Sequence, residues 1–166
     1  IGYLRCMLAK HTTISLACPE ATNRMANVLA PMLIRGDVVL LSGPIGSGKT
    51  HLARALIQSL LPVIEDVPSP SFTLVQTYEG KQFDLWHADL YRLSAPDDVI
   101  ELGLLDAFDQ AVTLIEWPDR LGSLQPASAL TIALNQGSED DSRIAKICWQ
   151  DTKWDVRIKE LANDPA

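Results

Sequence analysis

Two short apolar runs separated by a helical pattern stand out in this chain. Val38 to Ser42 is almost wholly apolar, which is typical of a strand covered on both faces, as in a parallel sheet. His51 to Leu61 is an uninterrupted helix former, and Ala111 to Ile115 is a second buried strand. Strand, glycine-rich turn and helix follow one another as in half of a βαβ unit, so the pattern predicts an α/β fold.

Two further pairs of predicted strands are joined by polar turns. Phe72 to Tyr78 and Gln82 to Tyr91 flank the turn Glu79–Lys81, an arrangement that is typical of a hairpin. Ala129 to Leu134 and Arg143 to Trp149 flank a second polar turn. Hairpin strands are antiparallel, so we predict a mixed sheet with a parallel centre and an antiparallel extension.

Helical patterns near both ends of the chain set the predicted domain bounds. Pro19 opens a helix whose buried stripe includes Met25 and Leu29, and Pro31 is expected to kink or stop it. Thr152 to Ala162 is also predicted to be helical. We therefore expect a single domain over residues 12–150, an extension or remnant of a longer sequence over residues 1–11, and a helical tail over residues 151–166.

The composition is that of a globular protein with an acidic surface. Of its 166 residues, 47% are hydrophobic and 21% are charged, which argues against general disorder. The net charge is −7, and a net-acidic surface does not attract a phosphate backbone over long range. No apolar run reaches the roughly 20 residues of a membrane helix, so no membrane partner is expected.

The cysteines bear on the cellular compartment. Cys6, Cys18 and Cys148 are too few and too scattered for a disulfide framework or a Cys-rich zinc site. We therefore expect reduced thiols and a cytoplasmic protein.

The segment from Gly43 to Thr50 carries the most specific chemical signal. It fits the phosphate-loop pattern G-x-x-x-x-G-K-[ST] without a mismatch, and it has an apolar strand before it and a helix after it. Glycines let the backbone curl around a phosphate, and successive N–H groups and the helix N-terminus then attract the anion. A glycine-rich turn without function is the alternative, but chance matches rarely have these flanks.

This loop predicts a site for ATP and Mg²⁺ within a three-layer fold of the P-loop NTPase type. Lys49 supplies a cation for the β- and γ-phosphates and is a candidate catalytic residue, while the Thr50 hydroxyl is placed to bind Mg²⁺. The predicted ATP-binding residues are Gly43, Ile45, Gly46, Ser47, Gly48, Lys49, Thr50 and His51.

Hydrolysis needs an acidic element beside the loop, and Glu116 is the first candidate. It follows a buried strand and reaches the carboxyl edge of the sheet, where ligands bind in open α/β folds. From there Glu116 could touch the metal directly or through water. The alternative is a solvated acid at the end of a strand.

Asp89 is the second acidic candidate. Period-two alternation places His87, Asp89 and Tyr91 on one face of a predicted strand, which makes that face polar and chemically equipped. The same residues could instead form the polar face of an edge strand, with Asp89 paired to Arg92 or Arg54. The residues alone do not decide between these interpretations.

A proline-serine loop precedes the hairpin. Ser69, Ser71 and Thr73 flank Pro70, and hydroxyls in such a loop could sense the γ-phosphate and metal as switch loops do. An ordinary proline turn is the simpler interpretation.

These motifs in this order resemble the TsaE (YjeE) family, small P-loop ATPases of bacterial tRNA threonylcarbamoyladenosine biosynthesis. The segments that carry the resemblance are Gly36-Asp37, the phosphate loop, Ser69–Val75, His87–Leu93, Glu116-Trp117-Pro118 and Leu124-Gln125-Pro126. The resemblance covers roughly Thr12 to Arg143. It implies that Thr50 and Glu116 bind the metal, that Asp89 is needed for hydrolysis, and that Ser71 to Thr73 form a switch-like loop.

The resemblance also implies a partner complex. The family's ATPase is thought to reset an assembly of a TsaD-type catalytic subunit and a TsaB-type companion, with tRNA contact that is indirect or weak. A P-loop small-molecule kinase is the first alternative, although no clustered arginine segment follows the loop. A nucleotide-gated interaction module with negligible catalysis is the second.

Overall fold

A seven-stranded sheet organises the molecule. The computed structural model describes residues 9–94 and 96–163. The strands are β1 (Lys10–Leu16), β2 (Val38–Ser42), β3 (Val75–Glu79), β4 (Asp84–Asp89), β5 (Val112–Glu116), β6 (Leu130–Gln136) and β7 (Arg143–Trp149). Their order is β1-β7-β6-β2-β5-β4-β3, and β6, β2, β5 and β4 run parallel. The other pairings are antiparallel, which confirms the predicted mixed sheet.

Helices cover the sheet and make the fold three-layered. They are α1 (Pro19–Leu29), α2 (Lys49–Leu60), α3 (Pro96–Glu101), α4 (Leu104–Gln110) and α5 (Lys153–Asn163), with 3₁₀ segments at Ala30–Met32 and Pro118–Leu124. Along β2, Val39 and Leu41 pack into one core with α1, α2 and α5, while Val38 and Leu40 pack into a second core with α3 and α4. Among the described residues, no helix is long and apolar enough to cross a bilayer.

Proline and glycine decide where helices stop. α1 has Pro19 in its first turn and ends at Leu29, and the 3₁₀ segment that follows contains Pro31, whose ring nitrogen cannot donate a helical hydrogen bond. The stop near Pro31 is where the sequence predicted it. Gly103 has a φ of +74° and separates α3 from α4, because glycine tolerates this left-handed conformation.

The β3–β4 hairpin is shorter than the pattern predicted. β3 begins at Val75 and not at Phe72, because a turn closed by the hydrogen bond from Leu74 N–H to the Pro70 carbonyl (2.6 Å) occupies the preceding residues. Leu74 has a φ of +66°, a left-handed conformation that does not continue into an extended strand.

Tyr91 does not lie where strand alternation predicted it. β4 ends at Asp89, so the alternation of side chains between the two faces of the sheet stops there. The prediction that Tyr91 shares a face with His87 and Asp89 is therefore wrong. Tyr91 is 47% exposed, and its ring packs against Trp117 with 4.9 Å between centroids.

The first strand begins within the predicted N-terminal extension. Lys10 and His11, which the sequence analysis placed in an extension, lie in β1 opposite Trp149 and Cys148. Residues 1–8 and 164–166 of the predicted extension and tail lie outside the described residues. The division into a domain over residues 12–150 with two flanking segments stays a prediction.

The cysteines do not all match the expectation of reduced thiols. Cys18 is free, but Cys148 is disulfide-bonded, so that expectation is wrong for Cys148. In the pairing of β1 with β7, His11 lies opposite Cys148, although the two residues are far apart in the sequence. Spacing along the sequence does not reveal such a proximity.

The C-terminal helix α5 is anchored by a buried aromatic ring and by ion pairs. Trp154 is fully buried, and its Nε1–H donates to the carbonyl of Ser128 at 2.8 Å. Lys153 Nζ and Arg157 Nη1 lie 2.9 and 2.6 Å from the carboxylate oxygens of Asp37, which is 1% exposed. Asp37 immediately precedes β2, so α5 is tied to the strand that leads into the phosphate loop.

We expect Trp154→Ala to lower the free energy of unfolding by about 3–5 kcal/mol, because it removes a fully buried ring and leaves the Ser128 carbonyl without its donor. Val156→Ala is the matched control, since Val156 lies on the same helix with 68% of its surface exposed. The control should change stability by less than about 0.5 kcal/mol. Urea denaturation measures both, and equal effects would contradict this packing of α5.

Candidate functional site

The loop between β2 and α2 is built from glycines with left-handed backbones. The φ angle is +137° at Gly43, +77° at Gly46 and +98° at Gly48. A Cβ added at Gly46 or Gly48 would meet no atom within 4 Å, so these glycines border open space, whereas Gly43 lies against Leu134 and Ser47. A concave backbone of this kind at a helix N-terminus is suited to bind an anion.

Lys49 is held by the loop itself. Its Nζ donates to the carbonyl oxygens of Gly43 at 2.9 Å and Pro44 at 2.8 Å, and it lies 4.1 Å from the ring centroid of Trp117. Burial lowers the pKa of Lys49, and nearby carboxylates, that of Glu116 foremost, oppose this shift. The ammonium group is therefore positioned by weakly basic carbonyls and an aromatic face, not by an ion pair.

Thr50 and Glu116 meet beside the loop. Thr50 lies in the first turn of α2 and Glu116 ends β5, and the Thr50 hydroxyl donates to Glu116 Oε2 at 2.9 Å. Glu116 is 2% exposed, and its other oxygen, Oε1, lies 2.9 Å from His87 Nε2. The alternative that Glu116 is a solvated acid is therefore wrong.

Asp89 lies opposite Glu116 in the parallel pairing of β4 with β5. It is 5% exposed, its Oδ2 accepts from the Ser71 hydroxyl at 2.7 Å, and its Oδ1 accepts from the Tyr91 N–H at 3.0 Å. β4 lies between β3 and β5, so the alternative of an edge strand is wrong. Both acidic candidates thus lie at the carboxyl edge of adjacent strands.

The arginines that the sequence offered as partners for Asp89 are engaged elsewhere. Arg54 Nε donates to the carbonyl of Val67 at 2.8 Å, and the Arg92 guanidinium lies 4.2 Å from the ring centroid of Phe72. Hydrogen bonds from uncharged donors, Ser71 and a backbone amide, hold Asp89 in place.

Three predicted nucleotide-binding residues have different surroundings. Ser47 is 4% exposed, whereas Ile45 is 74% exposed. His51 Nε2 lies 3.3 Å from the carbonyl of Pro19 at the start of α1. The His51 side chain is thereby linked to α1 and not to the glycines.

The serine loop is only partly joined to the site. Ser71 contacts Asp89 directly, and Ser69 contacts Ser71 with 2.7 Å between their hydroxyl oxygens. The side chain of Thr73 is exposed. Of the predicted switch-like loop, the structure therefore brings the Ser71 hydroxyl to Asp89 and the Ser69 hydroxyl to Ser71.

Two residues at the site were missed in the sequence analysis as site residues. In the sequence analysis Trp117 appears only within the segment Glu116-Trp117-Pro118 and is given no role, yet it covers Lys49 and has the left-handed φ of +59°, which is rare outside glycine. Arg143 Nε donates to the carbonyl of Ser47 at 3.1 Å, and Nη2 lies 3.4 Å from that of Gly46. Arg143 carries no local signal, because its contacts join residues almost one hundred positions apart in the sequence.

Residues 16–145 match the family described as "TsaE: Threonylcarbamoyl adenosine biosynthesis protein TsaE". The chain belongs to the TsaE family. The Rickettsia bellii protein named tRNA threonylcarbamoyladenosine biosynthesis protein TsaE is 37% identical over 128 residues, which are 77% of this chain and 88% of that protein. The Nostoc protein of the same name is 36% identical over 155 residues, which are 90% of this chain and 91% of that protein.

The fold is also shared with a solved structure. The crystal structure of Bacillus subtilis YdiB superposes with a TM-score of 0.75 at 26% identity, and the match covers 93% of this chain and 96% of that one. The resemblance drawn from the motifs is thus confirmed, and so is the predicted fold class.

The donor set of this TsaE-family chain fits Mg²⁺. A hydroxyl from Thr50 and a carboxylate from Glu116 are hard oxygen ligands, and their oxygens already lie 2.9 Å apart. In the described part of the chain, no group of three or more His, Cys, Asp and Glu residues could hold a metal ion. Mg²⁺ commonly binds through few protein oxygens, with phosphates and water as its other ligands, and such a pair is compatible with this coordination.

We expect Gly43→Ala to lower the free energy of unfolding by about 3 kcal/mol, because the added methyl group would overlap the Leu134 carbonyl and lie 2.7 Å from Ser47 Oγ at an unfavourable φ. Gly46→Ala is the control, since it meets only backbone strain and should cost about 1–2 kcal/mol. Chemical denaturation measures both. An equal or smaller loss for Gly43→Ala would contradict the close packing of the loop against β6.

Proposed function

We propose that this protein is a Mg²⁺-dependent ATPase that supports tRNA threonylcarbamoyladenosine modification at adenosine 37. The observation that carries the proposal is the contact between Thr50 and Glu116 beside a glycine loop in which Lys49 lies. Phosphate-binding backbone, a cation and a pair of metal-type oxygens therefore occur together at one edge of the sheet. The names of the relatives supply the biological process.

In this proposal, the loop binds the triphosphate. Backbone amides within Gly46–Thr50 contact the phosphates, and Lys49 leaves the carbonyls of Gly43 and Pro44 to contact the β- and γ-phosphates. Thr50 and Glu116 would hold Mg²⁺, and a bound ion would supply positive charge against the charge that develops on the phosphate oxygens. Groups that are already in place when the reaction begins stabilise that charge without reorganising during the reaction.

Asp89 is the residue that we propose orients the attacking water. It lies beside Glu116 across the strand pair, so its carboxylate borders the same edge of the sheet. Its Oδ2 accepts a hydrogen bond from Ser71, and its Oδ1 accepts one from the backbone of Tyr91. Release of the Ser71 contact frees Oδ2 to accept a hydrogen bond from water. We therefore expect slow hydrolysis by the isolated chain and faster hydrolysis when a partner moves the serine loop.

The partners in this proposal are a TsaD-type and a TsaB-type protein. Hydrolysis drives or resets their complex between turnovers and does not itself transfer the threonylcarbamoyl group. The net charge of −7 is consistent with tRNA contact that is indirect or weak. A role in tRNA modification supports the expectation of a cytoplasmic protein.

Lys49→Ala should weaken ATP binding by at least about 100-fold while the fold survives, because two charge-assisted contacts worth about 1.5 kcal/mol each are lost. Isothermal titration with ATP and Mg²⁺ measures the affinity. Lys159→Ala, which removes an exposed lysine of α5, is the control and should bind as the parent does. Unchanged affinity in a folded Lys49→Ala variant would contradict the assignment of the loop.

Asp89→Ala should keep ATP binding and lose turnover by about 10²–10⁴-fold, since it removes only the group that orients water. Phosphate release in the presence of the TsaD-type and TsaB-type partners measures turnover. Asp84→Ala, at the exposed opposite end of the same strand, should leave turnover intact. Equal turnover by the Asp89 variant would remove Asp89 from the mechanism.

Co-purification at native levels with ATP and Mg²⁺ tests the biological role. Recovery of both expected companions supports the proposal, and recovery of neither contradicts it.

Incubation with ATP and a metabolite pool tests the kinase alternative, because a kinase would form a new phospho-metabolite. Hydrolysis that stays negligible with both partners present would favour a nucleotide-gated interaction module.

A further inference from the structure

A buried histidine holds one side of the Glu116 carboxylate. His87 is fully buried, and its Nε2 lies 2.9 Å from Glu116 Oε1. The opposite oxygen, Oε2, accepts from the Thr50 hydroxyl at 2.9 Å. The two oxygens of the Glu116 carboxylate therefore contact residues of different elements, Oε1 a residue of β4 and Oε2 a residue of α2.

The sheet register explains how His87 reaches this carboxylate. Asp89 pairs with Glu116 and His87 pairs with Leu114, so His87 lies one pleat below the carboxyl edge on the same face of the sheet as Asp89. Leu114 belongs to the core that packs beneath α2. His87 is thus placed to approach Glu116 from within the core, where water does not compete for the contact.

The hydrogen bonding of His87 is directed at Glu116. Because a carboxylate oxygen accepts hydrogen bonds, we assign the proton of this contact to Nε2. Nδ1 is buried and has no hydrogen-bond partner among the described residues. A buried polar ring with one partner is less favourable for packing than an apolar side chain of similar size, so packing alone does not account for a histidine here.

We infer that His87 is a positioning residue that orients Glu116 for the metal. By holding Oε1, it fixes the rotation of the carboxylate and presents Oε2 to Thr50 and Mg²⁺. The inference rests on the proposed function, because it concerns the same metal site. Loss of a residue that hydrogen-bonds a metal ligand typically lowers metal affinity or activity by about 10–100-fold.

Titration of ATP into the protein at a series of Mg²⁺ concentrations, and in EDTA, tests this role. His87→Leu removes the donor, and His87→Gln keeps an N–H donor near the position of Nε2. We expect His87→Leu to need about 10-fold more Mg²⁺ for the half-maximal gain in ATP affinity, with unchanged affinity in EDTA. His87→Gln should restore the Mg²⁺ requirement to within about threefold of the parent.

A matched control and a second pair of variants keep the test decisive. Leu85→Met, a buried change on the same strand that does not contact Glu116, should leave the Mg²⁺ requirement unaltered. If His87→Leu does not fold, His87→Asn replaces it, because its shorter amide cannot reach Oε1. His87→Asn should then need more Mg²⁺ than His87→Gln.

The outcomes separate this inference from the proposed function. A parent protein that binds ATP more tightly with Mg²⁺, together with folded His87 variants of the same Mg²⁺ requirement, would overturn the inference alone. An equal loss of ATP affinity in EDTA and in Mg²⁺ would also overturn it, since that pattern indicates a structural role. A parent that binds no ATP, or binds it without regard to Mg²⁺, would overturn the proposed function and this inference together.

Discussion

The buried carboxylate of Glu116 is the group around which the site is arranged. A charge that is 2% exposed is costly unless donors surround it, and here the donors come from α2 and β4. That requirement links the first turn after the phosphate loop to the sheet beneath it. The same carboxylate opposes the lowering of the Lys49 pKa by burial, so Glu116 also acts electrostatically on the lysine of the loop.

The groups that the proposed chemistry needs are engaged by the chain's own atoms. Lys49 contacts loop carbonyls and the ring of Trp117, and Asp89 accepts hydrogen bonds on both of its oxygens. Such contacts satisfy buried polar groups and keep the loop ordered. In the proposed mechanism they are exchanged for contacts with phosphate and water, and the serine loop is then the part of the site expected to move.

Support for the loop reaches it from distant parts of the chain. Arg143, at the start of β7, donates to the carbonyl of Ser47 and lies near that of Gly46, so β7 is tied to the phosphate loop. In addition, two basic residues of α5 form ion pairs with Asp37, which immediately precedes β2. The C-terminal helix is therefore part of the packed structure that steadies the loop, although the family match ends at residue 145.

The sequence by itself determined the local features: the buried strand from Val38, the glycine loop, the helix after it and the acids at strand ends. These depend on periodicity and on backbone conformations that neighbouring residues set, so they can be read within a short window. The tertiary structure alone decided that β4 lies beside β5, that His87 is buried against Glu116, that Trp117 covers Lys49 and that Arg143 reaches Ser47. It also decided that β4 stops at Asp89 and turns Tyr91 outward. Strand order and register arise from pairing between residues far apart in the chain, and no local pattern encodes which distant partner is chosen.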